Sequence, residues 1–119
     1  MDTARLAPTG TVHLTTRGRR SGDPRRIEIW YVVVAGRLLV TGTPGPRGWL
    51  ANLRADPHAR LEVDGKVHEV LAREVVDVDE RRRLVEGAWV AQPWYAAQRA
   101  GLEDWVERSP LVELVAPTS

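Results

Sequence analysis

The chain has 119 residues, with no cysteine, no phenylalanine and little lysine. Nor does it hold an apolar run near the ~20 residues of a membrane-spanning helix. The missing cysteine excludes disulfides, thiolate metal ligands and thiol nucleophiles, and it fits a reducing, cytoplasmic setting. The opening Met1-Asp2-Thr3-Ala4-Arg5 lacks the apolar stretch of a secretory signal. Dinucleotide GxGxxG, Walker, HExxH and GxSxG patterns are all missing. His13, His58 and His68 stand far apart, without ligand spacing for a metal. Ser21 has no identifiable base beside it. These absences leave a cofactor that brings its own chemistry as a better fit than a side-chain triad.

What is present is a basic turn. Thr15-Thr16-Arg17-Gly18-Arg19-Arg20-Ser21-Gly22-Asp23-Pro24-Arg25-Arg26 packs five arginines between two alternating apolar runs. The net charge of the chain is +1, from 17 basic and 16 acidic residues. Arg17–Arg26 sets five arginines against Asp23 for +4, so the remainder carries −3. A field this local suits a small anionic ligand better than a long polyanion. Arginine's planar fork matches phosphate and carboxylate, and glycines let backbone N–H groups come close to an anion.

The order of elements follows from periodicity. Met1–Thr9 reads as a loose lead-in. Thr11–Thr16 alternates as a strand, with His13 on the face opposite Val12 and Leu14. Arg26–Ala35 is a long strand with Ile27, Ile29, Tyr31 and Val33 on one face and Glu28, Trp30, Val32 and Val34 on the other. Both faces turn apolar toward its end, as in a closed barrel or a dimer contact. Ala35-Gly36-Arg37 turns into a strand over Leu38–Thr41. A Gly/Pro loop precedes a short helix, Trp49–Ala55, stopped by Asp56-Pro57. Asp64-Gly65 joins Ala59–Val63 to Lys66–Arg73 through a type I′ turn, with His68 on an exposed face. Asp77 and Glu80 have capping-box spacing ahead of a helix running to about Val90. Leu84, Val85, Ala88 and Trp89 form its apolar stripe, and Arg81, Arg82 and Arg83 a solvated face. Gln92-Pro93 breaks that helix, Trp94–Ala100 restarts it, and Leu111–Val115 is the last strand. Hairpins dominate, so the expectation is one mainly β (α+β) domain, an antiparallel barrel with a few peripheral helices.

Three blocks carry a resemblance. Thr15-Thr16-x-Gly18-Arg19-x-Ser21-Gly22-x-Pro24-Arg25 resembles the signature of the deazaflavin (F420)-dependent nitroreductase family. Trp49-Leu50-Ala51-Asn52-Leu53-Arg54-Ala55-Asp56-Pro57 is similar to that family's second block, and Arg108–Leu114 to its closing strand. These are split β-barrel proteins related to FMN-binding flavin reductases and pyridoxamine phosphate oxidases. The resemblance implies hydride transfer from reduced coenzyme F420 to a nitroaromatic, quinone or enone acceptor. It implies that Arg19, Arg20 and Arg25, beside Ser21, engage the phosphate and acidic tail. Backbone groups at Arg26, Ile27 and Glu28 would meet the polar edge of the ring. Thr41, Gly42 and Thr43 would lie against tail or ring, and Trp49 and Asn52 would shape the pocket wall. Trp94 and Tyr95 would face the substrate, with Tyr95 the candidate proton donor or substrate anchor. A homodimer is expected, as split barrels commonly bury exposed sheet against a second copy.

Rival readings use the same arginines. They suit the phosphate of FMN in a flavin reductase-like protein, and a carrier would bind such a cofactor without turnover. A nucleic-acid binder would set the hairpin on phosphates, but the modest charge and the lack of interleaved aromatics count against it.

Overall fold

The computed structural model describes residues 2–117. Six strands form a closed barrel in the order β1-β2-β3-β6-β5-β4. They are β1 (Thr9–Arg17), β2 (Pro24–Val34), β3 (Arg37–Thr41), β4 (His58–Val63), β5 (Lys66–Glu74) and β6 (Leu111–Val115). Every neighbouring pair is antiparallel. Four α-helices accompany them: α1 (Gly48–Ala55), α2 (Val78–Ala91), α3 (Pro93–Ala96) and α4 (Leu102–Arg108). The barrel with few helices matches the sequence expectation of a mainly β split barrel.

Two core clusters explain why β2 is apolar on both faces. Val12, Leu14, Tyr31, Leu38, Val40, Leu61, Val70, Val112 and Leu114 fill the barrel, with Leu50 and Leu53 of α1 packed among them. Outside the wall, Val32, Leu39 and Leu111 meet Leu84, Val85 and Ala88 of α2 and Trp105 and Val106 of α4. Each fully buried aliphatic side chain contributes roughly 1.5–3 kcal/mol to folding. The closest seat is α2 on β2. A Cβ built on Gly87 would lie 2.3 Å from Val34 Cγ1, so only glycine lets this helix approach.

Turn chemistry sets the registers. Asp64 and Gly65 have φ of 50° and 78°, the left-handed pair of a type I′ turn. Asp77 caps α2, its carboxylate accepting from the Glu80 N–H at 2.9 Å. Glu80 does not complete the box. Its carboxylate instead takes Arg37 at 2.7 Å and Arg73 at 2.9 Å, tying α2 to β3 and β5.

Several expectations are corrected. Within the lead-in, Thr3–Arg5 forms a 3-10 helix, and β1 begins at Thr9 rather than Thr11. His68 is half-buried rather than exposed. The helix after Pro93 ends at Ala96, and α4 is an additional helix, capped by Gly101 and ended at Ser109-Pro110. Arg81 is not on a solvated face. It is 9% exposed and donates to Val75 O (2.8 Å), Val106 O (2.6 Å) and Ser109 O (2.6 Å), so that it caps the carbonyl end of α4. Arg82 does lie on the surface, paired with Glu103.

Candidate functional site

The site begins with two prolines. β3 pairs with β2 only from Tyr31↔Val40 to Val34↔Arg37. Beyond Thr41 the chain reads Gly42-Thr43-Pro44-Gly45-Pro46, and proline has no N–H to continue a ladder. The chain peels away, and β2 from Pro24 to Trp30 has no strand partner on that side among the described residues. β1 and β2 meanwhile stay paired out to Arg17↔Pro24, past the last β1–β4 pair at Thr15↔Arg60. The basic turn therefore overhangs the barrel mouth beside an unpaired strand edge.

The turn is rigidly built. Gly18 N–H donates to Asp23 O and Gly22 N–H to Gly18 O, both at 2.8 Å. Ser21 Oγ accepts from the Asp23 N–H at 3.1 Å. A Cβ at Gly18 would meet Ser21 Oγ at 2.9 Å and Asp23 O at 3.1 Å, so a larger residue there would push on both.

Thr16, Arg19, Arg20, Ser21, Arg25, Ile27, Trp49 and Asn52 line a cavity of about 290 Å3 together with Gly18 and Gly48. A groove of about 470 Å3 shares Arg19, Arg20 and Ser21 and continues past Arg17 to Asp56. The cavity has two kinds of lining: the arginines Arg19, Arg20 and Arg25, and the apolar Ile27 and Trp49.

The five arginines divide by partner. Arg26 pairs with Glu62 at 2.9 Å, and Arg17 faces Asp56 at 4.0 Å. The Asp56 carboxyl is held below the usual carboxylate range, chiefly by its hydrogen bond from His58. Arg19, Arg20 and Arg25 have no acidic partner among the described residues. Arg19 is held by Asn52 instead, Nη1 to Oδ1 at 2.9 Å.

The structure thus brings Arg19, Arg20, Ser21, Arg25, Ile27, Trp49 and Asn52 to one cavity. Arg26 and Glu28 send their side chains elsewhere, to Glu62 and to His13. Their backbone, with that of Ile27, lies along the unpaired stretch of β2. Thr41, Gly42 and Thr43 do not line the cavity. Thr41 Oγ1 donates to Pro110 O at 2.5 Å. The Arg47 guanidinium covers Gly42 and donates to Thr43 O and Oγ1, both at 2.9 Å.

Tyr95 is also elsewhere. It is 3% exposed in the outer cluster, 4.9 Å from the Trp105 ring, and burial pushes its phenol up to about 12. Trp94 sits beside it, 51% exposed and 6.0 Å from Trp30, itself 40% exposed. Trp30 was not singled out from the sequence. Its place in the outward phase of β2 was the available signal. Among the described residues no group of three or more His, Asp or Glu side chains gathers as a metal site. No helix among them is long and apolar enough to cross a membrane.

The family described as F420H(2)-dependent quinone reductase matches residues 3–108. The structure of an F420-H2 dependent reductase is similar at 25% identity and TM-score 0.63, over 88% of this chain and 92% of that one. A structure described as a domain-swapped dimer has 25% identity and TM-score 0.68, over 87% of this chain and 78% of that one. An FAD-binding protein from Mesorhizobium loti shares the fold at 15% identity and TM-score 0.68, covering 98% and 87% of the two chains.

Proposed function

The chain belongs to the F420H(2)-dependent quinone reductase family and is an F420H2-dependent oxidoreductase, and on that premise we propose that the arginine turn and the open edge of β2 are where the deazaflavin is held. The family match selects coenzyme F420 over the FMN alternative. The observation that carries the placement is a set of three arginines, without acidic partners among the described residues, that line one cavity together with the apolar Ile27 and Trp49. An amphipathic cofactor with an anionic tether and a flat ring fits that division. The cavity and its adjoining groove give it an elongated seat.

In this reading Arg25, Arg20 and Arg19 hold the phosphate and acidic tail by charge-assisted forks. Unpaired N–H and C=O groups of β2 between Pro24 and Trp30 bond the polar edge of the ring. Ile27 and Trp49 exclude water from its face. When bound, reduced F420 supplies the hydride. The protein's task is then orientation and a dry pocket rather than acid–base chemistry. Tyr95 packs in the outer cluster and donates no proton. The acceptor is a planar electron-poor molecule of the quinone, nitroaromatic or enone class, able to stack along the open side.

The protein acts as a homodimer in the cytoplasm. The dimeric state of a similar structure and the exposed Trp30 and Trp94 support the first. The cysteine-free composition supports the second. A solution mass of one chain would refute the dimer.

Titration of coenzyme F420, followed by its fluorescence quenching, tests the placement. Arg25→Ala should weaken binding by ~1.5–3 kcal/mol, the scale of a hydrogen bond to a charged group. An unchanged dissociation constant rejects the assignment. Reoxidation of reduced F420 against menadione, a nitroaromatic and an enone identifies the acceptor class.

A further inference from the structure

We propose that Asn52 is a positioning residue that aims Arg19 into the cleft through a neutral acceptor, leaving the arginine's charge uncancelled for an anionic ligand. This deepens the cofactor reading above and rests on it.

Asn52 is 6% exposed, on the inner face of α1. Its Oδ1 accepts from the Arg19 backbone N–H at 3.2 Å and from Arg19 Nη1 at 2.9 Å. Its Nδ2 donates to Thr16 Oγ1 at 3.1 Å. Two donors converge on one end of the amide, so its orientation is fixed: reversed, Nδ2 would face two N–H groups. One side chain thereby ties β1, the basic turn and α1 together. It fixes both the backbone and the tip of Arg19, at a site buried enough for the bonds to be strong.

The residue type matters as much as the geometry. A carboxylate at this position would hold Arg19 as firmly, but as an ion pair. The same turn shows that alternative twice. Arg26 is matched by Glu62 and Arg17 faces Asp56, and neither lines the 290 Å3 cavity. Arg19, which does line it, is held by an amide. An amide supplies orientation without charge, so a phosphate or carboxylate entering the cavity meets the full guanidinium charge.

Binding of coenzyme F420 to the full-length protein, across pH, tests this with Arg19→Ala, Asn52→Ala, Asn52→Asp and the double variant Arg19→Ala/Asn52→Ala. Arg19→Ala should weaken binding about tenfold or more. Asn52→Asp, nearly isosteric, should weaken it by a similar factor at pH 7.5. Its ratio to wild type should narrow as pH falls through the carboxylate range, since protonation restores a neutral group. Asn52→Ala should weaken binding with the wild-type pH profile, and it should add nothing in the Arg19→Ala background. Wild-type affinity in Asn52→Asp, or a full Asn52→Ala loss on top of Arg19→Ala, overturns the inference. Wild-type affinity in Arg19→Ala overturns the cleft placement itself. Should Asn52→Ala not fold, the pH-dependent ratio of Asn52→Asp decides alone.

Discussion

Replacing Arg81 with alanine should be among the most damaging single changes in this protein. The guanidinium fills three carbonyls at 2.6–2.8 Å, those of Val75, Val106 and Ser109. Each buried acceptor left bare costs ~1–3 kcal/mol, a gross loss of roughly 3–9 kcal/mol. Part is returned. Burial lowers the pKa of Arg81, so the variant recovers the cost of desolvating a cation, and water can enter the vacated space. A net loss of roughly 3–5 kcal/mol remains, similar to breaking other buried charged networks. At this chain length the unfolding entropy converts each kcal/mol into ~4 °C, so the melting temperature should fall by ~12–20 °C. Thermal melts by far-UV circular dichroism measure it, with Arg82→Ala as the control from the exposed side of the same helix. If both variants melt alike, the capping role assigned to Arg81 is wrong.

Gly87→Ala sets helix propensity against packing. Alanine is favoured over glycine in a helix by ~1 kcal/mol, yet the new methyl would sit 2.3 Å from Val34 Cγ1. Overpacking costs ~1–3 kcal/mol and should win, and adding Val34→Ala should restore the denaturation midpoint. Arg73 and then Arg37 hold the Glu80 carboxyl at about 2 rather than the ordinary 4.5. Because this pKa is depressed in the folded state, its stabilisation is present above pH 4.5 and lost as pH falls toward 2. Urea midpoints should drop across that window in wild type and less steeply in Glu80→Gln. Tyr95→Phe should change turnover of reduced F420 by less than about twofold, since a buried phenol outside the cleft donates no proton to an acceptor. A hundredfold loss would return Tyr95 to the chemistry.

Much of this was legible in the residues. Phase along β2 separates Ile27, Ile29, Tyr31 and Val33, which face the barrel interior, from Val32 and Val34, which face the outer cluster, and Asp64-Gly65 marks its hairpin. The basic turn identified Arg19, Arg20 and Arg25 as a group. Arg81, Arg82 and Arg83 are consecutive in sequence but do not share one face of α2. Successive helical positions fan out by about 100° each, and Arg81 lies in the stripe with Leu84, Val85 and Ala88. Likewise Leu102, Trp105 and Val106 have helical spacing, a signal masked by the apparent continuation of the preceding helix to Ala100. Other placements depend on distant parts of the chain. Nothing near Tyr95 in sequence announces that α4 will cover it, and the Arg47 guanidinium reaches Thr43 only once the loop has folded back. Asn52 was named, but its partners lie 33 and 36 residues away.

The tryptophans are unevenly distributed. Trp30, Trp94, Tyr95, Trp105 and Trp89 follow one another at ring separations of 4.9–6.0 Å, forming one connected aromatic string on the helical side. Trp49 stands apart from it, on the cavity wall. The protein therefore carries two separate optical reporters. One is a coupled group whose emission follows the seating of the helices on the barrel. The other is a solitary indole that registers what enters the cleft.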